Sequence, residues 1–258
     1  MNAPTRPDDE PSPDAGIAVV TGAAHGLGAA IAARLHRVGH TVVVADIDAT
    51  AAASAATELD PSGATAVSRT VDVADRDSVA ALLDSVIAGL GPVRVLVNNA
   101  ARTQATPLLE ITPEELAGVL AVNVHGTFYA CQVFGEHMAE QGYGRIVNIA
   151  SLAGQNGGTA TGGHYAASKG AVLSTTKVFA RDLAPRGVTV NAVSPGPQDS
   201  PIVHAIVGAN LDAFVEAIPV RRLGDPAFIA EMVALLASPG AASVTGACWD
   251  ANGGLYLR

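Results

Sequence analysis

Residues 16–28 read Gly16-Ile17-Ala18-Val19-Val20-Thr21-Gly22-Ala23-Ala24-His25-Gly26-Leu27-Gly28 and run directly into Ala29-Ala30-Ile31-Ala32-Ala33-Arg34-Leu35. The first five residues are an apolar, β-branched run with the character of a buried strand, and the last seven have helical composition and spacing. Between them, glycines permit positive φ and let backbone N–H groups approach an anion at the start of the helix, where the dipole favours negative charge. Strand, glycine-rich turn and helix in that order open a βαβ unit, and the turn suits a pyrophosphate. The spacing is Gly-x-x-x-Gly-x-Gly rather than the commoner Gly-x-Gly-x-x-Gly, so taken alone it also describes an ordinary strand-to-helix turn.

The next twenty residues support the pyrophosphate reading. The helix is expected to stop at Gly39, and Thr41-Val42-Val43-Val44-Ala45 reads as a second buried strand ending in Asp46. An acidic residue about 20 positions beyond the glycines is where NAD-binding βαβ units hold a ribose 2′-hydroxyl. A carboxylate there accepts hydrogen bonds from the ribose and repels a 2′-phosphate at close range. Ile47 comes next and His25 stands in the turn, so neither neighbour offers a permanent cation to offset that repulsion. NAD(H) is therefore the expected cofactor. Asp46 could instead cap the helix over Ala49 to Leu59, a role equally open to Asp48.

Further strand-like runs lie at 67–71, 93–98, 145–150, 188–194 and 247–251, with helical patterns starting near Asp75, Thr112, Tyr165 and Asp225. Thr112-Pro113-Glu114-Glu115 is a clear helix start, with a Thr cap, Pro at the first helical position and Glu at the third. The alternation predicts an α/β fold of the doubly wound, Rossmann type: a parallel sheet, helices on both faces, and ligands outside the carboxyl ends of the strands. One domain is expected over 15–258, because no second composition regime appears. A leader over 1–14, rich in Pro, Asp and Glu, has too little apolar surface to fold.

Composition narrows the function. The chain has 258 residues, 49% of them hydrophobic, enough for one sizeable core. A net charge of −9 argues against nucleic acid or an anionic membrane as partner. No stretch is read as a transmembrane span and the N-terminus lacks signal-peptide features, so a cytoplasmic protein is expected. Cys131 and Cys248 are far apart in apolar surroundings and read as buried thiols. Of the seven histidines, His36 and His40 have helical ligand spacing, but Gly39 ends the helix between them and no metal site is expected.

The chemistry is concentrated downstream. Tyr165 and Lys169 lie four residues apart and so share one helix face. An ammonium beside a phenol favours phenolate, which fits the phenol for general acid/base work near neutral pH. Ser151, at the carboxyl end of the 145–150 strand, could hydrogen-bond a substrate oxygen, and Asn123 is a polar residue within an apolar helix. Singly, each is also explained by packing, solvation, a turn or a helix bend.

Together these positions resemble the short-chain dehydrogenase/reductase family, from Ile17 to the C-terminus. The resemblance rests on Thr21 to Gly28, Asp72-Val73, Asn98-Asn99-Ala100-Ala101, Asn123, Ser151, Tyr165 with Lys169, and Pro195-Gly196. It implies seven parallel strands, assembly as a homotetramer or homodimer, and hydride transfer between a nicotinamide and a small-molecule alcohol or ketone. By the same resemblance Tyr165 exchanges a proton with the substrate oxygen, and Lys169 lowers the tyrosine pKa and binds the nicotinamide ribose. Ser151 orients the substrate oxygen, and Asn123 holds a water that relays protons to Lys169. Gly22, Ala24, His25, Gly26, Leu27 and Gly28 would carry the pyrophosphate and Asp46 with Ile47 the adenosine ribose. Asp72 and Val73 would contact adenine, and Asn99, Ala100 and Ala101 would line the ribose side. Pro195, Gly196, Gln198 and Ser200 would lie near the carboxamide.

Three positions depart from the family pattern: Ala101 stands where Gly is common, the 152–164 loop is a residue longer than in many relatives, and Pro197-Gln198 replaces an apolar pair. A substrate lid is expected over about 197–224, with Ile202, Val203, His204 and Ile206, and Gln155 across from it, as pocket candidates. Few charges are available there, which favours an apolar ketone or secondary alcohol. The ending Asn252-Gly253-Gly254-Leu255-Tyr256 is similar to that of 3-oxoacyl carrier-protein reductases, which generally use NADPH and dock an acidic carrier on basic residues. That reductase is the alternative enzyme; a non-catalytic NAD(H)-binding sensor is the alternative from another class.

Overall fold

The computed structural model describes residues 15–158, 161–200, 203–204 and 207–257. The expected leader, and Ile202 and Ile206 of the expected pocket, lie outside the described residues.

Seven strands, β1 (Ile17–Thr21), β2 (Thr41–Asp46), β3 (Ala66–Thr70), β4 (Val93–Asn98), β5 (Gly144–Ile149), β6 (Val188–Pro195) and β7 (Cys248–Ala251), form one sheet in the order β3-β2-β1-β4-β5-β6-β7. Every neighbouring pair is parallel. Parallel neighbours require crossover segments, and these are helices that cover both faces. Alternate residues of each strand feed the two layers, as a pleated strand requires. Ile17 and Val19 face the core shared with α3 (Arg76–Gly89), α5 (Gly126–Glu140) and α7 (Gly163–Leu183). Ala18 and Val20 face the core shared with α1 (Gly26–Arg37), α2 (Ala49–Leu59) and α9 (Pro226–Ala237). Two short helices, α6 (Ala153–Asn156) and α8 (Leu211–Glu216), belong to the connections after β5 and β6. This is the doubly wound, Rossmann-type fold that the alternation predicts.

Local signals account for the element ends. Asp48 caps α2, its side chain accepting from Ala51 N at 2.9 Å, so the capping role is taken by Asp48 and Asp46 is left for another. Thr112 caps α4 (Pro113–Leu120), accepting from Glu115 N at 3.2 Å. Helix α1 ends at Arg37, and Gly39 lies just beyond with φ 99. Between α4 and α5, residues Ala121–His125 form a π turn. Such turns insert one residue into an α-helix and recur at functional sites.

The long apolar helix and the two cysteines bear on the expectations from sequence, and that for Cys248 needs correction. The run Pro113–Glu140 is long and apolar enough to cross a membrane by length and composition, but its apolar residues Ala130, Cys131, Phe134 and Met138 pack into the core beneath the sheet. Cys248 is only half-buried, whereas Cys131 is buried and desolvation pushes its thiol up to about 12.

Strand β1 lies between β2 and β4, so the chain winds outward in both directions from this pair. The crevice at the carboxyl ends of β1 and β4 is therefore the topological switch point, where folds of this type bind ligands.

Candidate active site

The glycine turn leaves β1 at Thr21 and is locked to the end of β4. Thr21 Oγ1 donates to the Val97 carbonyl at 3.3 Å and accepts from the backbone N–H groups of Asn99 and Ala100 at 3.1 and 3.2 Å. The Asn99 amide donates to the carbonyls of Thr21 and Gly22 at 3.1 and 2.9 Å. Asn99 thus shapes the turn from behind, a role not apparent from sequence. Gly22 and Gly26 take φ of 62 and 56, and a Cβ at Gly28 would collide with the Gly22 carbonyl and sit 2.5 Å from Asn99 Nδ2. At the start of α1, His25 makes no side-chain cap and the first turn has no acidic residue, so the N–H groups there point outward without a competing anion. These residues fit a dinucleotide pyrophosphate.

Asp46 stands at the end of β2 beside this turn. Its Oδ2 accepts from Ala24 N at 3.1 Å and its Oδ1 from Asp48 N at 3.2 Å. The carboxylate is fixed against the turn with lone pairs to spare, next to the exposed Ile47. Asp72 is exposed and accepts from Ala74 N at 2.9 Å. Val73 is buried against Gly126, which leaves its backbone, rather than its side chain, to face a base. Ala100 packs on Gly22, and Ala101 is exposed.

Across the crevice, α7 and the end of β5 bring Tyr165, Lys169 and Ser151 together. Ser151 hydrogen-bonds the Tyr165 hydroxyl. Lys169 is 3% exposed, donates to the Ile149 carbonyl at 2.6 Å and has Nζ 5.8 Å from the Tyr165 ring centroid. Asn123, in the π turn, accepts from Arg102 N at 2.7 Å through Oδ1 and donates to Arg102 O and Ser168 Oγ at 3.0 and 2.9 Å. Ser168 Oγ in turn donates to the Tyr165 carbonyl at 2.7 Å. Both Asn123 N–H groups are engaged by protein, so a water at this residue would sit on an acceptor oxygen.

The pKa directions differ from the expectation. Burial raises the Tyr165 phenol above its ordinary value, and the Ser151 hydrogen bond opposes that. The Lys169 ammonium is turned to the Ile149 carbonyl, and burial lowers it to about 8 from 10.5. Below pH 8 both folded and unfolded chains carry the charge and the folded state bears the full desolvation cost; between about pH 8 and 10.5 the folded chain sheds the proton first. Wild-type stability relative to Lys169→Met is therefore expected to increase as pH rises through that window. Chemical denaturation of both proteins across it checks this.

At the far end of the crevice, Gly196 N donates to Ala251 O at 2.9 Å, just after Pro195 ends β6. Gln198 donates to Gly196 O at 3.0 Å, and its Oε1 is buried without a protein partner, an acceptor suited to the N–H groups of a carboxamide. The segment beyond it is pinned at its neck, where Asp199 N and Gly224 O lie 2.8 Å apart and Gly224 N and Pro197 O 2.9 Å apart. Inside it, Ser200 Oγ accepts from Val203 N at 3.3 Å and His204 pairs with Asp199 at 2.7 Å. Gln155 bridges Asp250 at 2.7 Å and Ser194 at 3.1 Å, so its amide braces the ends of β6 and β7. No group of three or more metal-ligating side chains occurs among the described residues.

Residues 22–256 match the family model described as enoyl-(acyl carrier protein) reductase. The chain belongs to the short-chain dehydrogenase/reductase family. As an oxidoreductase of this family it is 36% identical over 241 residues to the 3-oxoacyl-[acyl-carrier-protein] reductase FabG of Pseudomonas aeruginosa, covering 93% of this chain and 97% of that one. It is 38% identical over 244 residues to the 4-formylbenzenesulfonate dehydrogenase TsaC1/TsaC2 of Comamonas testosteroni, covering 92% and 96%. It is also 37% identical over 238 residues to the 2-dehydro-3-deoxy-L-rhamnonate dehydrogenase (NAD(+)) of a Sphingomonas species, covering 92% and 94%.

Proposed function

We propose that the protein is an NAD(H)-dependent oxidoreductase that interconverts an apolar secondary alcohol and its ketone. The observation that carries the cofactor choice is the Asp46 carboxylate, held 3.1 Å from Ala24 N at the rim of the glycine turn, where it accepts from ribose hydroxyls and repels a 2′-phosphate. The relative whose name specifies NAD(+) agrees with this choice. When bound, the nicotinamide supplies the hydride acceptor or donor. The protein's own part is acid/base chemistry and positioning. Ser151 holds the substrate oxygen against the Tyr165 hydroxyl. In oxidation the phenolate takes the alcohol proton, and in reduction the phenol returns it. Lys169 keeps a positive charge close to the phenol and ties α7 to the end of β5. Gly22, Ala24, His25, Gly26, Leu27 and Gly28 would seat the pyrophosphate, and Gln198 the carboxamide. The pinned segment 197–224 is the substrate lid. The enzyme works in the cytoplasm as a homotetramer or homodimer.

The FabG relatives favour a second reading, reduction of 3-oxoacyl thioesters. Cofactor exchange separates the two. NADH formation from NAD with cyclohexanol and other secondary alcohols supports the first reading; NADPH-dependent turnover of oxoacyl thioesters supports the second. Asp46→Ser is expected to shift the preference, measured as the ratio of kcat/KM for NAD to that for NADP, toward NADP by about tenfold. An unchanged ratio would remove Asp46 from cofactor choice.

A further inference from the structure

The first turn of α7, which carries Tyr165, is gripped from outside by contacts that the chemistry above does not use. His164 is 3% exposed, and its Nε2 stands 2.9 Å from Glu115 Oε1. Neither ring nitrogen completes a well-aligned hydrogen bond, so the buried imidazole is held beside the Glu115 carboxylate by close approach alone. The same carboxylate oxygen accepts the Thr106 hydroxyl. Thr106 lines a cavity of about 370 Å³ together with Leu108, Thr161, Gly162 and Gly163. The cavity thus lies between the segment after β4 and the residues immediately before Tyr165. Two more contacts join these segments: Gly162 N donates to Gln104 O at 2.9 Å, and a Cβ on Gly163 would be 2.6 Å from Leu108 Cδ1.

We propose that Glu115 is a positioning residue that holds the Thr106 wall of this cavity and the His164 ring in one register, and through them fixes the Tyr165 hydroxyl at Ser151. This rests on the reading of Tyr165 as the acid/base. Glu115 is the third residue of α4, so by sequence it belongs to the helix cap. Its carboxylate nevertheless reaches two side chains outside α4, the Thr106 hydroxyl on the cavity wall and the His164 ring adjacent to Tyr165. The Thr106 bond to this carboxylate is charge-assisted, a class about twice as strong as neutral bonds, and the Glu115 side chain is only 15% exposed. The cavity wall is thereby connected, through one carboxylate, to the residue beside the reacting phenol.

Hydrogen exchange by mass spectrometry on the full chain tests this without needing turnover. Glu115→Ala is expected to speed exchange across 102–108 and 162–168 together, by about tenfold, and Glu115→Gln, which keeps an acceptor, to restore most of the protection. Thr106→Val leaves the α4 cap untouched and is expected to loosen the same two segments. With cyclohexanol and NAD, Glu115→Ala should lower kcat by about tenfold to a hundredfold through misplacement of the phenol, with KM for NAD unchanged. Faster exchange confined to 113–117, or a Thr106→Val protein indistinguishable from wild type, would reduce Glu115 to a helix cap and overturn the proposal. Coupled exchange in a protein that turns over neither alcohols with NAD nor oxoacyl thioesters with NADPH would support the clamp and overturn the reading of Tyr165 instead.

Discussion

Tyr165→Phe is expected to lower kcat for alcohol oxidation by about a hundredfold to ten-thousandfold, the range that a positioned general acid/base contributes. NADH affinity, measured by fluorescence titration, should be nearly unchanged. The substitution removes one oxygen from a ring that stays in place: the α7 backbone is held by Gly162 O, which accepts from Tyr165 N at 3.0 Å, and by the Ser168 bond to the Tyr165 carbonyl. Ser151 loses its phenol partner but keeps its place, since its Oγ also accepts from Ala153 N at 3.1 Å. The predicted split, with chemistry lost and binding retained, is what separates an enzyme from a dinucleotide sensor. A variant that keeps full function would favour the sensor, in which the phenol has no proton to move.

Gly28→Val should have the largest effect on binding. Even a Cβ at this position would overlap the Gly22 carbonyl and crowd Asn99 Nδ2 at 2.5 Å. Both of those groups belong to the lock between the turn and β4, because Asn99 donates to that same carbonyl. Nothing flexible can move aside, so the turn itself must shift and its N–H groups lose their convergence. NADH affinity is expected to fall by at least about a hundredfold, with a lower melting temperature. Isothermal titration and thermal unfolding of the variant check both. Retained affinity would show that the pyrophosphate is not seated on this turn.

Most of the architecture was legible because it depends on short-range pattern. Val42 to Val44 and Val95 to Val97 are apolar on both faces, which identifies strands buried between two helical layers, and Thr112-Pro113 and Asp225-Pro226 mark helix starts by local chemistry. Asp46, Ser151 and Tyr165 could be placed at the sheet's carboxyl edge for the same reason. Contacts set by tertiary approach could not be read. Asn99 turns behind the glycine loop, and Gln155 reaches back to Asp250 and Ser194. Glu115 and His164 meet from helices far apart in the chain. The pKa of Tyr165 belongs to this group as well: helical spacing places an ammonium near it, but burial, which is a property of the assembled fold, sets the direction. The capping pattern around Glu115 marks the helix start correctly and conceals the longer reach of its carboxylate.

The π turn at Ala121–His125 has a consequence for how α4 and α5 fit their different neighbours. One residue of an α-helix corresponds to about 100° of rotation, so the inserted residue sets the two helices out of phase by that angle. Downstream of it, Ala130, Phe134 and Met138 keep a continuous apolar seam against the sheet. Upstream, α4 directs Glu115 toward His164. The insertion lets one uninterrupted rod serve two incompatible azimuths, with Asn123 buried at the dislocation between them. Alignment of the Tyr165 turn is thereby coupled to helical phase, and a one-residue deletion here would rotate the support of the active site while leaving every catalytic side chain in the sequence.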